Sequence, residues 1–558
     1  MSILELKPAN CKNCYKCIRN CPVKAIEVKD EQAVIIEHDC ILCGNCVLSC
    51  PQNAKNVRCD IARIRELISS GKKVIASVAP SYISEFDGIG FEDFQSALKQ
   101  LGFYSAGETA AGAYLVKSEY EKLLDGKRNI LISSCCPTVV SLVQKHFPSL
   151  VNEVAAVLSP MQAHANFIRE KNGDCYVVFI GPCFSKKDEA ERYGGIDGVL
   201  TFEELRQMLE DKGISLDNRD KLPDDKYRSR FFPISGGIIN SMKKNPDYRY
   251  IPVDGIDDCI NVLKEIELGN LSNCFVEMSA CRFGCVNGPA VRKHNIAAVD
   301  SIIKVTEYAD TDKDFDIASE AGLSKRIKSD YINVVQPGES QIKEILRRMG
   351  KNGPEDELNC GTCGYATCRD KAVAVYYGKA TETMCLPYMR QKAESFSNVI
   401  ISETPNAIIT VDSNLLIGQL NAAACRVFNI KNPEDVVKMP ISTLMNSEDF
   451  ENIFATHDKS TKQTVYLPEY DKYLEEILVY DDSSKVVIGI MKDVTDEVVK
   501  SEQIKKLKGE ALEIADNVIE NQMRVVQEIA SLLGETTAET QVALSKLKNT
   551  MTLEDRIK

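Results

Sequence analysis

The sequence predicts an α+β multidomain protein, and three of its features carry that expectation. Its 558 residues, 44% hydrophobic and 27% charged, are too many for one core and suffice for roughly three or four domains. The 22 cysteines fall in groups, with eight between Cys11 and Cys50, a scattered set from Cys59 to Cys285, and four between Cys360 and Cys385. Beyond Ala393 no cysteines pair, and from Asp493 the chain turns to Glu, Lys, Val, Ile and Leu with almost no Gly or Pro, a composition of long helix.

Charge and hydropathy narrow the function classes. Lys and Arg number 68 against 81 Asp and Glu, a formal net charge of −13, which disfavours nucleic acid and anionic membrane surfaces as partners. No stretch approaches the ~18 apolar residues of a membrane span, and Met1 to Asn10 lack the basic start and apolar run of a signal peptide. A cytoplasmic protein is therefore expected. In that reducing compartment dense cysteine spacing reads as metal ligation before disulfides.

The run Cys11-x2-Cys14-x2-Cys17-x3-Cys21-Pro22 recurs 29 residues later as Cys40-x2-Cys43-x2-Cys46-x3-Cys50-Pro51. Three thiolates at i, i+3 and i+6 can meet one face of a 4Fe-4S cube, while the fourth, past a short helical turn, reaches the other cluster. The module resembles a bacterial two-cluster ferredoxin. Cys11, Cys14, Cys17 and Cys50 are assigned to one centre, and Cys40, Cys43, Cys46 and Cys21 to the second. Paired zinc knuckles are the alternative, but zinc closes with four ligands in two pairs and has no use for an eightfold pattern. Short strands at Ala25–Val28 and Val34–Ile36 are expected beside the clusters, and electron transfer is the expected role.

Three later contexts are distinctive: Ser133-Ser134-Cys135-Cys136-Pro137, Gly181-Pro182-Cys183-Phe184-Ser185-Lys186-Lys187-Asp188-Glu189, and Glu277-Met278-Ser279-Ala280-Cys281-Arg282-Phe283-Gly284-Cys285-Val286-Asn287-Gly288. In this order they resemble the three signatures of the iron-only (FeFe) hydrogenases. Further similarity at Val78–Ser81, Leu101–Phe103, Leu158–Gln162 and Ser235–Gly237 extends the resemblance from about Lys72 to Gly288. It implies a 4Fe-4S cube on Cys136, Cys183, Cys281 and Cys285, with Cys285 bridging to a diiron subsite that carries CO, cyanide and a dithiolate amine. Lys186 would donate to one cyanide and Ser81 to the other, Lys186 in a charge-assisted bond. Cys135 matches the family's first proton relay, and Glu119 would continue the route. Two residues before the second and third cube ligands, where the catalytic members carry methionines, stand Gly181 and Ser279. Losing two bulky thioethers opens space for water or a polar contact and points to slow turnover. Pro289 departs from a customary glycine run. Cys59, Cys175, Cys259, Cys274 and Cys425 read as small buried hydrophobes.

Cys360-x2-Cys363-x4-Cys368-x16-Cys385 resembles the single 4Fe-4S domain of electron-transport and corrinoid-protein partners, with a helix expected over Arg369–Gly378. Four-cysteine zinc is the alternative. From Phe396 the strand-like Pro405–Asp412, the Asn421-led helix and the strand Val486–Ile490 closing at Asp493-Val494-Thr495-Asp496 resemble a PAS sensory domain, or equally a plain dimerisation module of that fold. Ile504, Leu507, Ala511, Ile514, Val518, Val525, Ile529 and Leu532 then mark a coiled-coil seam interrupted by Asn521. Gly534 would end that helix, with a capping box at Thr536 and Glu539 starting another.

The expected order is a ferredoxin domain over 1–58, a hydrogenase domain over 59–340, a single-cluster domain over 341–392, a PAS domain over 393–497 and helices over 498–558. Together they resemble the sensory iron-only hydrogenases. That resemblance implies four 4Fe-4S clusters plus the diiron subsite, H2 and protons as reactants, a redox partner such as ferredoxin, a separate kinase or phosphatase downstream, and a homodimer through PAS and coiled coil. The alternatives are a bulk catalyst with a docking tail, and an iron–sulfur scaffold lacking the diiron subsite.

Overall fold

The computed structural model describes residues 2–86, 89–216, 225–291, 298–310, 312–333, 335–457, 461–533 and 542–548. The chain divides into two compact units, Met1–Met389 and Arg390–Lys558. Among the described residues no helix is long and apolar enough to cross a membrane. None of the 22 cysteines is joined in a disulfide.

The first unit opens with strand Leu4–Leu6, paired antiparallel with Lys55–Val57, and a hairpin of Ile26–Lys29 with Gln32–Ile35. That hairpin turns at Asp30 and Glu31, both at positive φ, as two-residue hairpin turns require. Each ferredoxin-like cysteine run includes a one-turn helix, Lys16–Arg19 or Asn45–Leu48.

Two parallel sheets form the middle of this unit. One orders the strands Ser105–Glu108, Val74–Val78, Tyr176–Gly181 and Gly198–Thr201, and the other Arg249–Asp254, Cys274–Ser279 and Ile130–Ile132. Val74–Val78 is buried at every position, as a strand covered on both faces must be. Around the first sheet Phe86 packs edge to face on Phe94 and Phe202, and Tyr82 lies tilted against Phe94. Helix Phe202–Asp211 starts with a capping box, Glu204 N–H donating to Thr201 Oγ1 at 3.2 Å and Thr201 N–H to Glu204 Oε2 at 2.7 Å. The unit closes with helices Glu339–Arg348 and Cys368–Tyr376, packed through Ile342, Ile345, Leu346 and Ala372. Helix Leu386–Glu403 runs on from there.

The second unit holds a five-stranded antiparallel sheet in the order Ile417–Leu420, Ala407–Asp412, Val486–Asp493, Lys472–Asp481, Thr461–Leu467. Helices Ala422–Val427 and Glu448–Thr456 contribute to its core through Val427, Phe450 and Ile453. Asn421 caps the first of these, accepting from Ala424 N–H at 2.8 Å. Asp493 Oδ1 accepts from Thr495 N–H at 3.1 Å and Thr495 Oγ1 at 2.6 Å where helix Thr495–Leu533 begins. Its seam residues Ile504, Leu507, Ile514, Val518 and Val525 are exposed. The expected break at Gly534 and capping box at Thr536 and Glu539 lie outside the described residues, as does the Leu532 side chain.

Cys175, Cys259 and Cys274 are buried and Cys425 half-buried. Cys59 corrects the expectation: it is exposed, in the connection between strand Lys55–Val57 and helix Ile61–Ser69, where it lines an open cleft.

Candidate active site

Residues expected to act together are brought together by the carboxyl ends of the parallel strands. Ser81 follows Val74–Val78, Cys135 and Cys136 follow Ile130–Ile132, Cys183 follows Tyr176–Gly181, and Cys281 follows Cys274–Ser279. Crevices at such strand ends are the usual ligand sites of parallel sheets. Cys136 is the N-cap of helix Pro137–His146, and Cys183 lies two residues before helix Ser185–Tyr193. Two helix N-termini thus lie beside the thiols, an arrangement that favours anions.

Cys136, Cys183, Cys281 and Cys285 are mutual electrostatic neighbours. Burial pushes the Cys136, Cys281 and Cys285 thiols up, and each neighbouring thiolate pushes in the same direction. Buried thiols such as Cys136, Cys281 and Cys285 become stable thiolates only when a cationic centre takes them, so this donor set, with Cys183 among it, fits an iron–sulfur cube. Among the described residues no three His, Cys, Asp or Glu side chains converge on a single-ion site.

Ser81, Cys135, Cys183, Lys186 and Cys285 line one cavity of about 90 Å³ together with Met161, Phe179 and Phe232. Ser81 is fully buried and its Oγ has no hydrogen-bond partner among the described residues. A buried hydroxyl left unpaired is costly, so Ser81 fits as a donor to a bound group. Lys186 Nζ donates to the Cys135 carbonyl oxygen at 3.1 Å and to Glu189 Oε2 at 2.7 Å. Burial opposes the charge on Lys186, yet Glu189 and the adjacent thiolates outweigh it and hold the ammonium above the ordinary lysine range. Glu189 also takes Lys325 Nζ at 2.6 Å and the Ser159 hydroxyl at 3.1 Å. Both lysines and the glutamate are buried, so Lys186 in the cavity wall is backed by a Lys–Glu–Lys network of which only Lys325 lies outside the sequence motif.

Burial pushes the Cys135 thiol up to about 12, with Tyr120 and Lys186 pulling it back. Tyr120 Oη lies 3.2 Å from Cys135 Sγ and 2.9 Å from Ser134 Oγ, and accepts from Ser134 N–H at 2.9 Å. Glu119 is a correction. It is half-exposed and ion-paired with Lys122 at 2.6 Å, because one residue along helix Thr109–Asp125 turns the side chain ~100° away. Tyr120, not Glu119, is the side chain that meets Cys135.

The two missing methionines also read differently in three dimensions. A Cβ on Gly181 would come within 2.6 Å of the Phe179 ring, so an aromatic ring fills the space. Ser279 is not among the residues that line the cavity, while Met161 is.

Seven of the eight ferredoxin-like cysteines have neighbours within two groups. Cys17 has Cys50 and Cys11 as charge neighbours, and Cys46 has Cys43, Cys40 and Cys21. The second set abuts the cavity's cysteines: Gly44 has φ +82°, and a Cβ there would lie 2.5 Å from Pro289 and 2.8 Å from Phe184. Pro289 thus seats the ferredoxin-like loop. Cys43 is in turn a charge neighbour of Cys281. On the other side buried Tyr365 has both Cys363 and Cys21 as charge neighbours, and Arg19 donates to the Thr362 carbonyl oxygen at 3.2 Å. Cys360, Cys363, Cys368 and Cys385 line one small cavity. The cysteine groups form a continuous series from Cys281 through Cys43 and Cys21 to Cys363.

Residues 72–289 match the iron only hydrogenase large subunit, C-terminal domain. Residues 3–67 match a 4Fe-4S dicluster domain and 356–387 a putative Fe-S cluster family. Iron hydrogenase 1 of Clostridium pasteurianum is 25% identical over 363 residues, 51% of this chain and 62% of that protein. Cytosolic Fe-S cluster assembly factor narfl of Xenopus tropicalis is 24% identical over 293 residues, 39% of this chain and 62% of that protein. The chain thus spans less than two thirds of either relative. A solved FeFe-hydrogenase, HydA1 from Chlamydomonas reinhardtii, is 18% identical with a TM-score of 0.37, covering 47% of this chain and 91% of that one. The relatives include iron–sulfur assembly factors as well as hydrogenases.

Proposed function

We propose that this protein reversibly splits H2 at the cavity of Ser81, Cys135, Lys186 and Cys285 and uses the outcome as a signal. The observation that carries the reading is the convergence on one small cavity of four kinds of group: a cluster of thiols, a buried ammonium, an unpartnered hydroxyl and a relay thiol. Cys136, Cys183, Cys281 and Cys285 would hold a cube, Cys285 would extend to a diiron group, and Lys186 and Ser81 would donate to its cyanides. When bound, that group supplies an open Lewis-acidic iron on which H2 is polarised and split. Cys135 takes and returns the proton at Sγ, and Tyr120 holds that sulfur in position. Phe179, Phe232 and Pro233 give the cavity an apolar lining. Electrons leave through the cysteine series toward Cys360–Cys385, giving four cubes in all.

The sensory half of the proposal draws on the second unit. Its sheet runs 2-1-5-4-3 in chain order, the order of a PAS domain, and the exposed seam of helix Thr495–Leu533 suits a parallel dimer whose register Asn521 would fix. A kinase or phosphatase in the cytoplasm would read the change.

A second reading, an iron–sulfur scaffold without the diiron group, is favoured by the similarity to the assembly factor. Infrared spectra of fully maturated protein separate the two. CO and cyanide bands are expected; a full iron load without them would hand the function to the scaffold.

A further inference from the structure

Lys371 lies one helical turn past Cys368 on helix Cys368–Tyr376 and is 2% exposed. It lines the same cavity as Cys360, Cys363, Cys368 and Cys385. Its ammonium donates to the Glu382 carbonyl oxygen at 3.0 Å, while the Glu382 carboxylate is taken by Arg348 at 3.0 Å. The thiols of Cys385, Cys363 and Cys368 are its foremost negative neighbours. Lys186, by comparison, is neutralised by Glu189, and the buried Lys55 has both Cys17 and Cys46 as charge neighbours. Lys371 has four cysteines of a single set around it. A buried cation is expensive without a counter-charge, and here the counter-charge is the cysteine set itself.

The local backbone adds the same sign. Cys368 is the first residue of its helix, held by a capping box in which Thr367 Oγ1 accepts from Asp370 N–H at 2.9 Å. Cys385 immediately precedes helix Leu386–Glu403. Each helix N-terminus carries about half a positive charge.

We propose that Lys371 is the residue that sets the reduction potential of the cluster held by Cys360, Cys363, Cys368 and Cys385, stabilising its reduced form so that electrons come to rest there. One electron enters from a donor of the ferredoxin class, the cluster gains one negative charge, and the fixed ammonium favours that state. The proposal rests on the reading of this cysteine set as a 4Fe-4S site.

The test is a redox titration of the full chain with dithionite, followed by electron paramagnetic resonance, for the wild type, Lys371→Gln and Lys371→Arg. In Lys371→Gln the reduced-to-oxidised ratio of this cluster at a fixed potential should fall at least tenfold, about 59 mV for one electron, with the ferredoxin-type signals unmoved. Lys371→Arg should restore most of it. Equal midpoints in all three chains, with the cluster present, would overturn the proposal alone. A Lys371→Gln chain that fails to load this cluster would overturn it too, giving the lysine to assembly. A wild-type chain without the third cluster would overturn the proposal and the 4Fe-4S reading together.

Discussion

Gly181→Met should destabilise the first unit rather than rebuild the reactive pocket. Along a strand, residues two apart share a face, so Phe179 and Gly181 of Tyr176–Gly181 point the same way and the ring lies over the glycine. A Cβ at 181 would sit 2.6 Å from two ring atoms and 3.2 Å from the Ala79 Cβ, where carbon contacts are comfortable at about 3.5–4.0 Å. Phe179 is 4% exposed in the main core, so the ring cannot swing out without leaving a void. Overpacking of this kind costs about 1–3 kcal/mol, and the three further heavy atoms of methionine push toward the upper end. Phe179→Leu removes the obstacle. In Gly181→Met/Phe179→Leu the two effects should therefore offset each other, with a coupling of at least about 1 kcal/mol. The assay is urea unfolding of the full chain followed by circular dichroism, since the protein has no tryptophan, reading the transition of Met1–Met389. A single variant as stable as the wild type, or a double variant no better than the sum of the singles, would falsify the view that Phe179 occupies the methionine's place.

Other expectations follow from the same geometry. Cys135→Ala should lower H2 oxidation by about 100-fold or more while the CO and cyanide bands persist, whereas Cys285→Ser should lose those bands; identical spectra and rates in both would refute the division between relay and ligand. Tyr120→Phe removes the hydrogen bond that pulls the Cys135 thiol down, so the pH profile of turnover should move upward and its maximum fall, while Glu119→Gln should match the wild type; the reverse pattern would return the role to Glu119. In the second unit, burial raises Glu476 from 4.5 to about 7, with Asp449 adding and Gln463 opposing. Its carboxyl is raised in the folded state, so that share of stability is complete below about pH 4.5 and is lost as pH rises through about 7, a change of up to about 3 kcal/mol. Thermal melts of the Arg390–Lys558 transition at pH 5 and pH 8 should show the fall, and Glu476→Gln should flatten it; an equal slope in the variant would exclude Glu476 as its source.

How much of this was legible in the sequence depends on how local the information is. The ferredoxin-like repeat and the cysteine set at 360–385 are short-range spacings, readable without knowledge of the tertiary packing; the second set lines one cavity. The helix expected over Arg369–Gly378 is found at Cys368–Tyr376. Glu119 was implied by the family resemblance alone, and which of two adjacent helical residues faces Cys135 is decided by packing against Ser134 and Phe275. Lys325 stands 136 residues after Glu189, a separation across which no motif operates. Phe179 was hidden differently: two methionine positions were compared one by one, while the space belongs to whatever reaches it. Lys371 could have been found, since it follows Cys368 by three residues as Lys186 follows Cys183.

Asp39 ties three modules at one point. Its carbonyl oxygen lies 3.0 Å from His146 Nε2, and its carboxylate is paired with Lys379, 340 residues further on. The second ferredoxin-like cysteine set is therefore covered only late in synthesis. At about 5–20 residues per second the ribosome needs roughly 15–70 s to travel from Asp39 to Lys379, and for nearly all of that interval Cys21 lacks its neighbour Tyr365. A cluster inserted early in translation would spend that time open to oxygen. Iron delivery after the chain has reached Lys379 would spare it, which makes the order of translation and cluster loading a property written into one aspartate.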